Sequence, residues 1–155
     1  MYRHILIPID GSSCSDLAMQ EGIELAKSVN AQVTFINVLE DPIIRGHSAS
    51  DVPSYLSEFY KHDKKLGQDT LKKAMSSAEQ AGVRATQILI EKEDPASAIL
   101  AATETADLIV IATHGHRGFK RAIFGSVAET VIRHVTIPCL IIRIENTEPY
   151  NEDDI

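Results

Sequence analysis

Apolar residues fall along this chain in two rhythms. Short runs rich in β-branched residues read as five strands: HILIPI at 4–9, QVTFINV at 32–38, ATQILIE at 85–91, DLIVIAT at 107–113 and IPCLIIRI at 137–144. Between them lie longer stretches with helical spacing. DGSSCS after the first run supplies turn and N-cap residues, and Ala18, Gly22, Leu25, Ala26 and Val29 then share one helical face ending near Asn30. Residues 54–82 form a long amphipathic pattern with Gly67 inside it and Gly82 placed as a C-cap. Asp94-Pro95 is an N-cap followed by proline at the first helical position, so ASAILAATETA continues as a third helix. SVAETVIRHV, from 126, opens a fourth. The connection at 40–53 has two prolines and no period. Loops of that length are usually functional or mobile, so it is expected to be the least ordered internal segment, a lid near a ligand.

The strands are nearly continuous apolar runs rather than alternating ones, as expected when helices cover both faces of a parallel sheet. Strand–helix alternation therefore predicts one doubly wound α/β domain over residues 1–144, a five-stranded parallel sheet ordered 3-2-1-4-5 with right-handed crossovers. Composition changes this picture little. The hydrophobic fraction is 44% and the charged fraction 24%, ordinary for a globular domain. No apolar run approaches the roughly 20 residues of a membrane span. The N-terminal MYRHILIPID has no signal-peptide pattern, and Cys14 and Cys139 do not make a disulfide framework, so a cytoplasmic location is expected. The net charge of −7 is concentrated at one end, because residues 145–155 hold five acids and no Lys or Arg. That tail reads as a solvated, disordered end. The nearly neutral remainder lacks the basic face that nucleic acid requires.

Chemistry is expected where a doubly wound sheet places it, beyond the carboxyl ends of the strands. Two junctions qualify, DGSS at 10–13 and THGHRGFKRAIFGS at 113–126, each leading into a helix N-terminus that attracts anions. Glycines at 115 and 125 would let backbone amides approach phosphate oxygens. The first loop is not a dinucleotide G-x-G-x-x-G, and the second lacks the lysine of a P-loop. A reading without ligand is also open here. Ser126 and Glu129 spell S-x-x-E, a capping box that would stabilise the fourth helix alone, and the basic loop residues would then be a solvated surface.

From Tyr2 to about Arg143 the chain resembles the universal stress proteins. The ATP-binding members carry G-x2-G-x9-G-[S/T] after the fourth strand. Here Gly115, the nine residues HRGFKRAIF, and Gly125-Ser126 supply all but the first position, which is Ala112. The first strand ending in P-x-D-G-S and the closing GSVAETVIRHVTIPCLIIR resemble the family too. The resemblance implies an ATP site. Asp10 would take the ribose hydroxyls, Pro8 and Ile9 would line the adenine pocket, and Val38 would meet the base edge through its backbone. Gly115, Gly125, Ser126 and Val127 would hold the phosphates, with Ala112, His114 and Arg117 beside them. Mg²⁺ or Mn²⁺ would bridge phosphate oxygens.

No catalytic residue is assigned. Phosphoryl transfer needs a positioned metal, an oriented nucleophile and charge stabilisation, so hydrolysis is expected to be slow at most. The resulting expectation is an ATP-binding regulatory protein of the stress response. The alternative is a stress-response interaction protein that binds partners without nucleotide, a reading that rests on Ala112. Either way a homodimer is expected through the fifth strand, whose apolar edge would otherwise be exposed, with higher oligomers and an unidentified protein partner left open.

Overall fold

The computed structural model describes residues 1–40, 54–114 and 124–143, with side chains from Leu56 onward in the second stretch. The 40–53 connection beyond Glu40, the tail at 145–155, and Gly115 and Arg117 lie outside the described residues. Among the described residues five strands and four helices alternate: β1 His4–Pro8, α1 Ser13–Val29, β2 Gln32–Leu39, α2 Ser54–Ala81, β3 Ala85–Glu91, α3 Pro95–Ala102, β4 Leu108–Ala112, α4 Ser126–His134 and β5 Cys139–Ile142. A 3-10 turn at Thr103–Thr105 follows α3. All strand pairs are parallel, in the order β3-β2-β1-β4-β5. Both the class and the order match the expectation.

Successive residues of a strand point to opposite faces, so a parallel sheet buried on both sides makes two cores. Ile5, Ile7, Val33, Phe35, Leu108 and Val110 pack on one face against α1 (Ala18, Ile23, Ala26) and α2 (Leu71, Ala74, Ala78). Leu6, Ile36, Ile109 and Ile111 pack on the other against α3 (Ala96, Ile99) and α4 (Ala128, Val131). At the amino ends of the strands Asp107 accepts the backbone N–H groups of Arg3 and His4, at 2.9–3.1 Å. Burial raises the pKa of this carboxyl, but those two donors outweigh it and hold it below the usual value.

Helix ends follow local chemistry. Ser12 caps α1 through its side chain, Asn30 closes it in the left-handed region (φ 55°), and Gly82 (φ +73°) closes α2. Asp94 caps α3 ahead of Pro95, as its sequence predicts. Two expectations need correction. Among the described residues the fifth strand spans Cys139–Ile142, starting later than the expected 137; Ile144 lies outside them. Pro138 has no N–H, and only its carbonyl enters the sheet, accepting from Ile109 at 3.0 Å. The capping box is not formed either. Gly125 is the N-cap of α4 and uses no side chain, while Ser126 already lies inside the helix. The Gly125 N–H is bound to the Thr113 carbonyl at 2.7 Å, which fixes the helix start one residue early. Glu129 pairs with Arg133 at 2.8 Å instead of reaching back.

Candidate functional site

The carboxyl ends of β1, β2 and β4 open onto a cleft of about 510 Å³, in the range that holds small-molecule ligands. Its floor comes from Pro8, Ile9 and Asp10 after β1, and from Ile36 and Val38 of β2. Ile111, Ala112 and His114 follow from β4, and Gly125, Ser126 and Val127 from the start of α4. Nine of the eleven residues singled out in the sequence thus meet in one place. The other two, Gly115 and Arg117, are outside the described residues.

The two helix starts at this cleft are built differently. After β1, Gly11 takes φ +81°, a conformation that suits glycine, and turns the chain so that Ser12 can cap α1. The Ser12 hydroxyl accepts from the Ser15 N–H at 3.2 Å, and the Ser15 hydroxyl donates to the Ser12 carbonyl at 3.1 Å. Asp10 accepts the Ser12 N–H at 2.9 Å, so one of its oxygens serves the turn. The carboxylate is half-buried and still borders the cleft.

After β4 the arrangement differs. Thr113 is 2% exposed and ties the strand to α4 by accepting the Gly125 N–H. His114 Nδ1 is hydrogen-bonded to the Thr113 hydroxyl at 3.0 Å, which holds the ring at the cleft. No side chain caps α4. The first N–H groups of a helix have no partner within it, and among the described residues no side chain takes them here. Ser126 is exposed and adds a hydroxyl. A Cβ built on Gly125 would meet only ordinary contacts, Thr113 O at 3.5 Å and His114 Cα at 3.7 Å. The fold therefore does not require glycine there for room.

Ala112 departs from the glycine motif, and its position shows what the methyl does. It is 7% exposed and belongs to the α1-side core with Cys14 and Val110.

Sequence reasoning missed a whole wall. Tyr60, Asp63, Leu66 and Gly67 of α2 border the cleft, with Asn37 and Glu40 beside them. Tyr60 and Lys64 both donate to Glu91 at the end of β3, at 2.7 Å each, and clip α2 to the sheet. Those donors, Lys64 first, hold the Glu91 carboxyl below its ordinary pKa. Asn37 is 5% exposed; its Nδ2 donates to the Ile9 carbonyl at 2.8 Å, and its Oδ1 has no hydrogen-bond partner among the described residues. The available signals were an asparagine in an apolar strand and a glycine inside a helix.

Among the described residues no group of three or more His, Cys, Asp or Glu side chains is gathered to hold a metal ion. No described helix is long and apolar enough to cross a membrane.

Residues 1–143 match the model of the universal stress protein family. A universal stress protein of Methanocaldococcus jannaschii is 37% identical over 92% of this chain and 83% of its own. Among solved structures, universal stress protein UspA from Lactobacillus plantarum superposes with a TM-score of 0.81 at 22% identity, covering 92% of this chain and 98% of that one. A universal stress protein from Archaeoglobus fulgidus, solved in complex with dAMP, gives 0.66 at 21% identity over 91% and 98% of the two chains. The chain belongs to the universal stress protein family.

Proposed function

We propose that this protein binds ATP in the cleft and acts as a nucleotide-responsive regulator of the stress response. The observation that carries this reading is the start of α4. A helix N-terminus without a side-chain cap among the described residues borders a cleft that is also lined by the Asp10 carboxylate. Anions are favoured at the first, through free N–H groups and the helix dipole. Sugar hydroxyls are favoured at the second, as donors to a carboxylate. A nucleotide carries both. The dAMP complex of the Archaeoglobus relative supports an adenine nucleotide as the ligand class.

In this reading Gly125, Ser126 and Val127 hold phosphates, joined by Gly115, with His114 and Arg117 at their flank. Asp10 takes the ribose, Pro8 and Ile9 line the base, and the Val38 backbone meets its edge. A divalent ion, Mg²⁺ or Mn²⁺, enters on the phosphate oxygens and its own waters rather than on a protein ligand set. Hydrolysis is slow at most. The alternative, an interaction protein without nucleotide, rests on Ala112. A methyl packed in the α1-side core weakens that argument.

The protein works as a homodimer joined by β5, which among the described residues pairs only with β4 and leaves Leu140 38% exposed. Antiparallel pairing of two such edges about a two-fold axis satisfies both. Light scattering at micromolar concentration is expected to give twice the chain mass, and a monomer mass contradicts the pairing. For the nucleotide, calorimetry with ATP and Mg²⁺ is expected to show micromolar-to-millimolar binding that exceeds that of GTP. Absence of heat and of any thermal shift removes the proposal.

A further inference from the structure

The β1/β2 ladder breaks off in a way that exposes one backbone position. Even-numbered residues of β2 face β1: the Gln32 N–H donates to the Arg3 carbonyl, and the Ile36 carbonyl accepts from Ile9 at 2.9 Å. Odd-numbered ones face β3, as Val33 does with Arg84 and Leu39 with Lys92. In a parallel ladder the next rung toward β1 would join the Val38 N–H to the Ile9 carbonyl. That rung is not made among the described residues, and pairing stops at Pro8↔Ile36. The Ile9 oxygen instead accepts Asn37 Nδ2 at 2.8 Å.

The orientation of the Asn37 amide is fixed. Only its NH₂ can face a carbonyl, so Oδ1 is turned toward α2 and stays buried without a partner. A buried acceptor left unpaired in a native fold calls for a reason. Gly67 is what admits it, since a Cβ at that position would stand 2.6 Å from Oδ1. Asn37 and Gly67 together hold the Ile9 carbonyl out of the ladder.

We infer that Asn37 is a positioning residue for base recognition, and that Gly67 gives it room. By occupying the Ile9 carbonyl it keeps the N–H and C=O of Val38 open, side by side, at the cleft. Such a pair matches a base edge that offers a ring-nitrogen acceptor beside an amino donor, the edge of a 6-aminopurine. A 6-oxopurine presents the opposite order at those two atoms. The inference deepens the nucleotide reading above and rests on it for the identity of the ligand.

The test is amide hydrogen exchange at Val38, followed by NMR in the full chain, alongside binding of adenosine, inosine and tripolyphosphate. Three proteins are compared: the natural sequence, Asn37→Leu and Gly67→Ala. In the natural chain the Val38 amide is expected to exchange freely and to become protected by adenosine. Asn37→Leu returns the Ile9 carbonyl to the ladder. It should slow Val38 exchange without ligand, weaken adenosine about tenfold, the loss of roughly one net hydrogen bond, and leave tripolyphosphate unchanged. Its preference for adenosine over inosine should shrink accordingly. Gly67→Ala crowds the same amide from the helix side and should shift Val38 exchange, adenosine affinity and the adenosine preference in the same direction, again leaving tripolyphosphate unchanged. A Val38 amide protected in the ligand-free natural chain overturns the inference. So does a Val38 amide that stays open in Asn37→Leu, or an undiminished adenosine preference in that variant. A natural chain that binds neither adenosine nor tripolyphosphate overturns the nucleotide reading itself, whatever the exchange data show.

Discussion

The two strand-to-helix junctions at the cleft do opposite things with the same raw material. After β1, Asp10, Ser12 and Ser15 make hydrogen bonds to one another and to the start of α1. After β4, the N-cap is glycine, the first-turn carboxylate is paired with Arg133, and the Ser126 hydroxyl makes no cap. Among the described residues one junction is closed by its own side chains and the other is not. An open helix N-terminus is less favourable than a capped one unless something else satisfies its donors. In the proposed reading this difference puts the anion site at α4 and gives the β1 junction a framing role, with Asp10 as its contribution to the cleft.

This contrast can be broken by closing the open junction. Gly125→Asp would place a carboxylate cap, and a negative charge, where the phosphates are expected. ATP binding should fall by about a hundredfold or more, through like-charge repulsion and loss of the free N–H groups. Folding stability should change by only a few tenths of a kcal/mol, because Asp and Gly are both accepted N-caps. Calorimetry and thermal melting on the same sample check the two halves.

A reciprocal pair sharpens it. Ser12→Ala removes the α1 cap and should cost about 1 kcal/mol of stability, with little change in ATP affinity. Ser126→Ala should do the reverse, weakening ATP about tenfold by loss of one hydrogen bond and leaving the melting temperature unmoved. Equal effects of the two changes on both readouts would erase the distinction drawn here.

The smallest effect on binding is expected at Ala112. Its methyl fills core space on the α1 face, so Ala112→Gly should leave ATP affinity unchanged. Glycine inside a strand weakens it, and stability should drop by about 1 kcal/mol. A rise in affinity would mean that the methyl impinges on the cleft after all.

Much of the fold was readable because its signals are local. β3 forms over the same seven residues as the apolar run ATQILIE, and the Asp94-Pro95 start of α3 is as its sequence predicts. The start of β5 was not readable. Pro138 and the pairing with β4 decide it, and pairing partners lie far apart in sequence. The S-x-x-E at 126–129 misled for a similar reason, since the tether from Gly125 to Thr113 is a tertiary contact that no spacing announces. The site divides the same way. Asp10, His114 and Gly125 stand at strand–helix junctions that the topology marks as functional. Tyr60, Asp63 and Gly67 reach the cleft only because α2 packs across β2 and β3, so their sequence spacing is that of an ordinary amphipathic helix.

The central claim is that the uncapped start of α4 receives the phosphates. Titrating ATP and Mg²⁺ into ¹⁵N-labelled protein and following each amide tests it directly. The account predicts the largest shifts at Gly125, Ser126 and Val127, with much smaller ones at Cys14 and Ser15 in the first turn of α1. Saturable binding that moves the α1 amides and leaves those of α4 in place would contradict it.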